Sequence, residues 1–203
     1  MFHVKQLQPA KLELYKELIG CYHHALDLMS AKAVADIDTK LTEAQSYADI
    51  LEAQLSPDER ILDVGSGAGL PGVVLALAFA ENPVIWVERR QRRANFLRIV
   101  KGQLGLENVS VVHGDVRDMQ MPAVRWVCAQ AVGSFPLLYC LTRHLHPPVV
   151  TLIARRGELS PAELGELERL TGPLHEVETT PLPTHGRLVA LRVQGGCVCP
   201  SSV

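Results

Sequence analysis

Residues 61–72 read ILDVGSGAGLPG, a short apolar run that breaks into four glycines within eight positions. An apolar run of this length reads as a buried strand. Glycines directly behind it leave out the Cβ atoms that would hold the backbone away from a ligand. In an open parallel sheet, ligands sit beyond the carboxyl ends of the strands, where such a loop meets the next helix. A GxGxxG can be counted from Gly67 to Gly72, but a dinucleotide motif opens immediately behind its strand. In that register, starting at Gly65, Leu70 stands where the third glycine belongs.

The next apolar run, VIWVE (84–88), ends on Glu88. This is about 20 residues past the loop, the spacing at which a carboxylate reaches a ribose diol. Strand-like and helical segments continue to alternate from there. A helix over 71–79 precedes VIWVE, and a basic helix over 90–104 follows it. VSVVHG (109–114), RWVCAQ (125–130) and VVTLIA (149–154) are further strands, with a helix over 134–145. Ser160-Pro161 opens another helix, and Glu163 is placed for a capping box. LHEVETT (174–180) and GRLVALRV (186–193) have no helix between them and read as an antiparallel pair. Alternation of this kind predicts an α/β fold: a Rossmann-like, mostly parallel sheet with helices on both faces and a C-terminal antiparallel strand pair.

Upstream, apolar residues recur at three- and four-residue steps over 9–29 and 39–55, which predicts two helices with one apolar face each. The chain thus divides into an N-terminal helical extension (1–56), a sheet domain (57–194) and a flexible tail (195–203). With 203 residues it can bury one sizeable core. A formal charge of −2 gives no bulk signature of a nucleic-acid binder, so such a role must rest on local clustering. Five cysteines without a CxxC pair argue against a disulfide framework and a zinc site, and no metal is expected. Cys128 and Cys140 read as core residues, and His144 and His146 as surface ones. No run nears the ~18 apolar residues of a membrane span. Without a signal-peptide stretch at the start, the default is a cytoplasmic protein, taken as a monomer.

DVGSGAG resembles the first motif of class I S-adenosylmethionine (SAM) methyltransferases, whose sheet also ends in an antiparallel pair. More specifically, LDVGSGAGLPGVVLAL with VERRQRRANFLRIV resembles the RsmG (GidB) family, which methylates guanine N7 in 16S RNA of the small ribosomal subunit. The resemblance is strongest over 60–118. It implies SAM as cofactor, with Asp63 at the end of the first strand and Gly65, Ser66, Gly67 and Gly69 forming the loop under the methionine moiety. Leu70 would line the pocket, Glu88 would take the ribose, and Asp115, Val116 and Arg117 in GDVRD would border the adenine. Read as a turn residue, Asp115 has an equally ordinary structural role.

Arg89, Arg90, Arg92, Arg93, Arg98 and Lys101 follow Glu88 with no acid among them. Basic helices usually interleave acids as i,i+4 partners. This unbalanced one predicts contact with RNA phosphates through Arg89, Arg92 and Arg93, joined by Arg156. Only 5% of the residues are aromatic, which gives little sign of a base-stacking platform.

Guanine N7 carries a free lone pair, so methyl transfer to it needs alignment and exclusion of water rather than a general base. No catalytic acid–base residue is therefore expected. Where the family has Ser-Arg-Ala after the fourth strand, this chain has Ala129-Gln130-Ala131, and Gln130 takes the arginine's place at the cofactor. Arg156-Gly157 stands for the family's Lys-Gly. YHHALDLMS (22–30) and TEAQSYADIL (42–51) depart from its N-terminal motifs. The resemblance implies ribosomal RNA or the small subunit as partner. Two alternatives stand beside it: SAM-dependent methylation of another RNA, a protein or a small molecule, or SAM binding without turnover.

Overall fold

The computed structural model describes residues 8–195, so the expected tail beyond Gly195, which carries Cys197 and Cys199, lies outside the described residues. Proline at its first turn opens helix α1 (Pro9–Leu26), which ends at Asp27 in the left-handed conformation. The helix stops three residues short of the expected Met29, because Ser30 starts a new one. The Ser30 hydroxyl caps the short α2 (Ala31–Ala35), a helix of too few residues to show a period. Helix α3 (Ile37–Glu52) follows and buries Leu41, Ala44, Tyr47, Ala48 and Leu51.

Five strands run parallel: β1 (Ile61–Val64), β2 (Val84–Glu88), β3 (Val109–His113), β4 (Trp126–Ala129) and β5 (Val149–Arg156). β6 (Glu176–Pro181) and β7 (Arg187–Gln194) complete a seven-stranded sheet of order β3-β2-β1-β4-β5-β7-β6. β7 is antiparallel to β6, as the sequence predicts, and also to β5. The crossover helices are α4 (Gly72–Ala78), α5 (Gln91–Leu104), α6 (Phe135–Thr142) and α7 (Pro161–Thr171). Single 3₁₀ turns occupy Val116–Asp118 and Arg143–Leu145.

Side chains alternate across each strand, and the two faces build two cores. Ile61, Trp86, Trp126, Cys128 and Ile153 face α1, α3, α4 and α5. Leu62, Val87, Val127, Leu152 and Val189 face α6 and α7. Residues of α1 and α3, among them Tyr15, Ile19, Leu41 and Leu51, belong to the first core together with the sheet. The strand order reverses between β1 and β4, which opens a crevice beyond their carboxyl ends.

Candidate functional site

The loop behind β1 is tied down mostly through its backbone. The N–H groups of Gly65 and Ser66 both donate to the Val87 carbonyl, at 2.9 and 3.1 Å, which fixes the loop to the end of β2. Ser66 Oγ donates to the Asp63 carbonyl at 2.9 Å, and the Tyr15 hydroxyl of α1 donates to the Ala68 carbonyl at 3.0 Å. Gly67 has φ +54°, a conformation that would strain a residue with a side chain. Its N–H donates to Glu88 Oε2 at 3.0 Å, while Arg90 N–H donates to Oε1 at 2.8 Å.

Asp63 lies beneath this loop, fully buried; its carboxylate makes no well-formed hydrogen bond, although the Ser66 hydroxyl and Gly72 N–H lie close enough to favour its charged form. Burial pushes its pKa up to about 7, and the charge of Glu88 adds to the rise. Gly72 packs against the same spot. A Cβ there would stand 2.4 Å from Trp86 Nε1 and 2.6 Å from Asp63 Oδ2.

Above the loop opens a cleft of about 450 Å³. Val64, Gly65, Val87 and Glu88 form its floor, at the ends of β1 and β2. Arg89, Asp115, Val116 and Arg117 border one side, and Ala131, Val132, Leu137 and Leu141 the other. Asp115 caps the 3₁₀ turn by accepting Arg117 N–H at 3.0 Å, so the turn role and a place on the cleft coincide. The Arg117 side chain also donates to its carboxylate at 3.0 and 2.8 Å, and Arg89 lies 3.7 Å away. These cations, Arg117 foremost, hold the Asp115 pKa down at about 2.

The opposite wall is held by side chains from afar. Tyr47 of α3 donates its hydroxyl to the Ala129 carbonyl at 2.9 Å and accepts Arg155 N–H at 3.0 Å. It thereby bridges β4 and β5 where the two strands part. The forward half of the α7 capping box is present, Glu163 N–H to Ser160 Oγ at 3.1 Å, but the Glu163 carboxylate is used elsewhere. It accepts Phe135 N–H at 2.9 Å, at the start of α6, and two hydrogen bonds from Arg156 at 2.8 and 2.6 Å. Arg156 also donates to the Gly133 carbonyl and lies 5.8 Å above the Phe135 ring.

Of the residues singled out from sequence, Gly65, Glu88, Arg89, Arg93, Asp115, Val116 and Arg117 meet on the cleft. Ser66, Gly67 and Gly69 shape the loop, whereas Asp63 and Leu70 are buried beneath it. Gln130 follows β4 but does not line the cleft; Ala131 and Val132 do. Arg92 faces a neighbouring hollow. Arg156 is committed to Glu163 and Gly133 rather than held free for phosphate. The basic run is partly balanced after all, by acids distant in sequence: Asp27 beside Arg90 and Arg93, and Asp115 beside Arg89.

Sequence reasoning counted Arg90 in the basic run without assigning it to the site, and missed the apolar wall of Val132, Leu137 and Leu141. The available signal was position, since AVGSFPLL follows a strand at the ligand-bearing edge. Cys140 is exposed, not core. His146 is mostly buried against Tyr139, within 2.8 Å of the Thr142 hydroxyl; burial, then the charge of His144, lowers its pKa to about 4.

A sheet of this order, with a glycine loop behind β1 and a carboxylate closing β2, is the Rossmann-like fold of SAM-dependent methyltransferases. The O-methyltransferase from Bacillus cereus in complex with SAH shares it, with a TM-score of 0.62 at 13% identity, over 95% of this chain and 100% of that one.

Within that class the chain belongs to the GidB family, whose model, rRNA small subunit methyltransferase G, matches residues 8–185. The ribosomal RNA small subunit methyltransferase G of Halorhodospira halophila is 32% identical over 90% of this chain and 87% of its own length. That of Acidothermus cellulolyticus is 40% identical over 58% of this chain. The chain spans about half the length of some curated relatives it matches, 52% of the Acidothermus protein and 54% of one from Methylobacillus flagellatus.

SAM, the cofactor of this family, fits the residues present. The loop offers bare backbone, and Glu88 lines the cleft with each carboxylate oxygen fixed by one N–H. The cleft volume falls within the range of small-molecule sites, about 300–1,000 Å³. Among the described residues, no helix is long and apolar enough to cross a membrane.

Proposed function

We propose that the protein methylates guanine N7 in 16S ribosomal RNA of the small subunit, in the cytoplasm, using SAM bound in the cleft above Gly65 and Glu88. The observation that carries this reading is Glu88, fixed by Gly67 and Arg90 N–H groups at the floor of a cleft rimmed by arginines. When bound, SAM supplies an activated methyl group on sulfur. Glu88 accepts the ribose hydroxyls, and Val116 with the Asp115–Arg117 pair borders the adenine. Val132, Leu137 and Leu141 give the other wall an apolar surface that keeps water from the approach of N7. No residue needs to remove a proton, because N7 attacks with its own lone pair. Arg89, Arg92 and Arg93 hold RNA phosphates at the rim; the family match and the arginine run support that assignment.

The test is incubation with methyl-labelled SAM and small ribosomal subunits that lack the modification. Label in guanine N7 is the expected result. Label at another position transfers the reading to another substrate, and bound SAM without label reduces it to a binding role.

A further inference from the structure

Beside the cofactor cleft lies a second hollow of about 300 Å³, between the end of α1 (residues 25–27) and the start of α5 (residues 90–93). Arg90 and Arg93 line both cavities and so stand between them. Arg92 opens onto the second hollow alone and makes no ion pair among the described residues. Three cations thus face a space of a size to admit a phosphodiester.

One acid answers them. Asp27 Oδ2 lies 3.3 Å from Arg93 Nη2 and 3.7 Å from Arg90 Nη1, and Arg93 also donates to the Asp27 carbonyl. The Asp27 side chain is 91% exposed, so water screens this pairing and it contributes little to stability. The carboxylate therefore occupies the place of an anion, held by a hydrogen bond from Arg93 and a longer contact with Arg90. No acidic residue of α5's own first turn competes for the arginines.

We propose that the hollow is a phosphate subsite for the RNA backbone, and that Asp27 is a displaceable stand-in which the phosphate pushes aside. The inference rests on the RNA-substrate reading above and deepens it. A phosphate gripped by Arg90, Arg92 and Arg93 would sit beside the cofactor cleft. It would set the register of the strand, so that a neighbouring base enters the cleft. Asp27 repels any polyanion that cannot fill the hollow and make all three contacts, which raises discrimination at the expense of affinity.

The substitution Asp27→Asn isolates the charge. Asparagine tolerates the left-handed backbone at this position, φ +50°, and keeps the side chain's shape. Binding of a short single-stranded oligoribonucleotide, followed by fluorescence anisotropy over a salt series, should be about twofold to fivefold tighter for Asp27→Asn at low salt. The double variant Asp27→Asn, Arg92→Gln should lose that gain and make the salt slope shallower by about 0.7, one phosphate contact of a single strand. Unchanged RNA affinity in Asp27→Asn overturns the proposal. So does weaker binding with a lowered melting temperature, since Asp27 would then be a strap between α1 and α5. Methyl transfer to ribosomal RNA without the Asp27→Asn effect sinks the subsite alone; the Asp27→Asn effect without methyl transfer sinks the proposed activity alone.

Discussion

On one side of the cleft, twelve consecutive residues, Ile61 to Gly72, set the floor through their own backbone and a carboxylate on the adjacent strand. On the other side, the wall from Ala131 to Leu141 is held by Tyr47, Arg156 and Glu163, which arrive from three different elements. The first side is a local structure that a short stretch specifies. The second is an assembly, correct only once the whole sheet has closed. The difference teaches where substitutions are tolerated: a local floor fails through a single Cβ, whereas an assembled wall fails through loss of one polar partner.

The sharpest way to break the floor is Gly72→Ala. The added Cβ overlaps buried Trp86 and Asp63, and we expect a loss of about 3 kcal/mol in denaturant unfolding, at the upper end for overpacking. Gly165→Ala in α7, where nothing stands within 4 Å, should leave stability unchanged or slightly raised. Equal effects of the two would remove the distinction between a packed floor and an ordinary helix surface.

Tyr47→Phe strikes the assembled wall. It strips a buried partner from both the Ala129 carbonyl and Arg155 N–H and should cost about 2 kcal/mol. Tyr15→Phe removes one bond, to Ala68, and should cost about 1 kcal/mol. The pair sharpens the comparison if Tyr15→Phe weakens SAM binding while Tyr47→Phe spares it and slows transfer. The reverse pattern in titration and turnover would exchange the roles of the two walls.

The floor also carries a slope with pH. Asp63 has a folded pKa of about 7, above its unfolded value of about 3.9, so the unfolded chain ionises first as pH rises. Its contribution to stability is therefore best below about pH 4 and declines until the folded group has titrated, near pH 7. Asp63→Asn should flatten that decline when denaturant midpoints at about pH 5 and about pH 8 are compared. An unchanged slope would place the origin elsewhere.

The succession of strands and helices and the terminal antiparallel pair were legible because hydrophobic runs and turn residues report local structure directly. So were the loop and Glu88, joined by a spacing that the parallel β1–β2 pair enforces. Short α2 was not legible, since five residues carry no period. Nor was the fate of the charges. A basic run with no acid in its own helix looked unbalanced, yet Asp27 and Asp115 come to it through the fold. Glu163 fits a capping box by spacing, but a stronger partner, Arg156, lies within reach only in three dimensions. Tyr15 and Tyr47 read as members of apolar faces, and nothing in a 3.6-residue period reveals which carbonyl a hydroxyl will find.

The central claim is that the glycine loop and Glu88 form a SAM site. Calorimetric titration of the intact chain with SAM and with NAD tests it most directly. One SAM per chain should bind, NAD should not, and Glu88→Gln should weaken SAM by about tenfold or more, the cost of a charge-assisted hydrogen bond. Binding of NAD in place of SAM, or full SAM affinity in Glu88→Gln, would contradict the account.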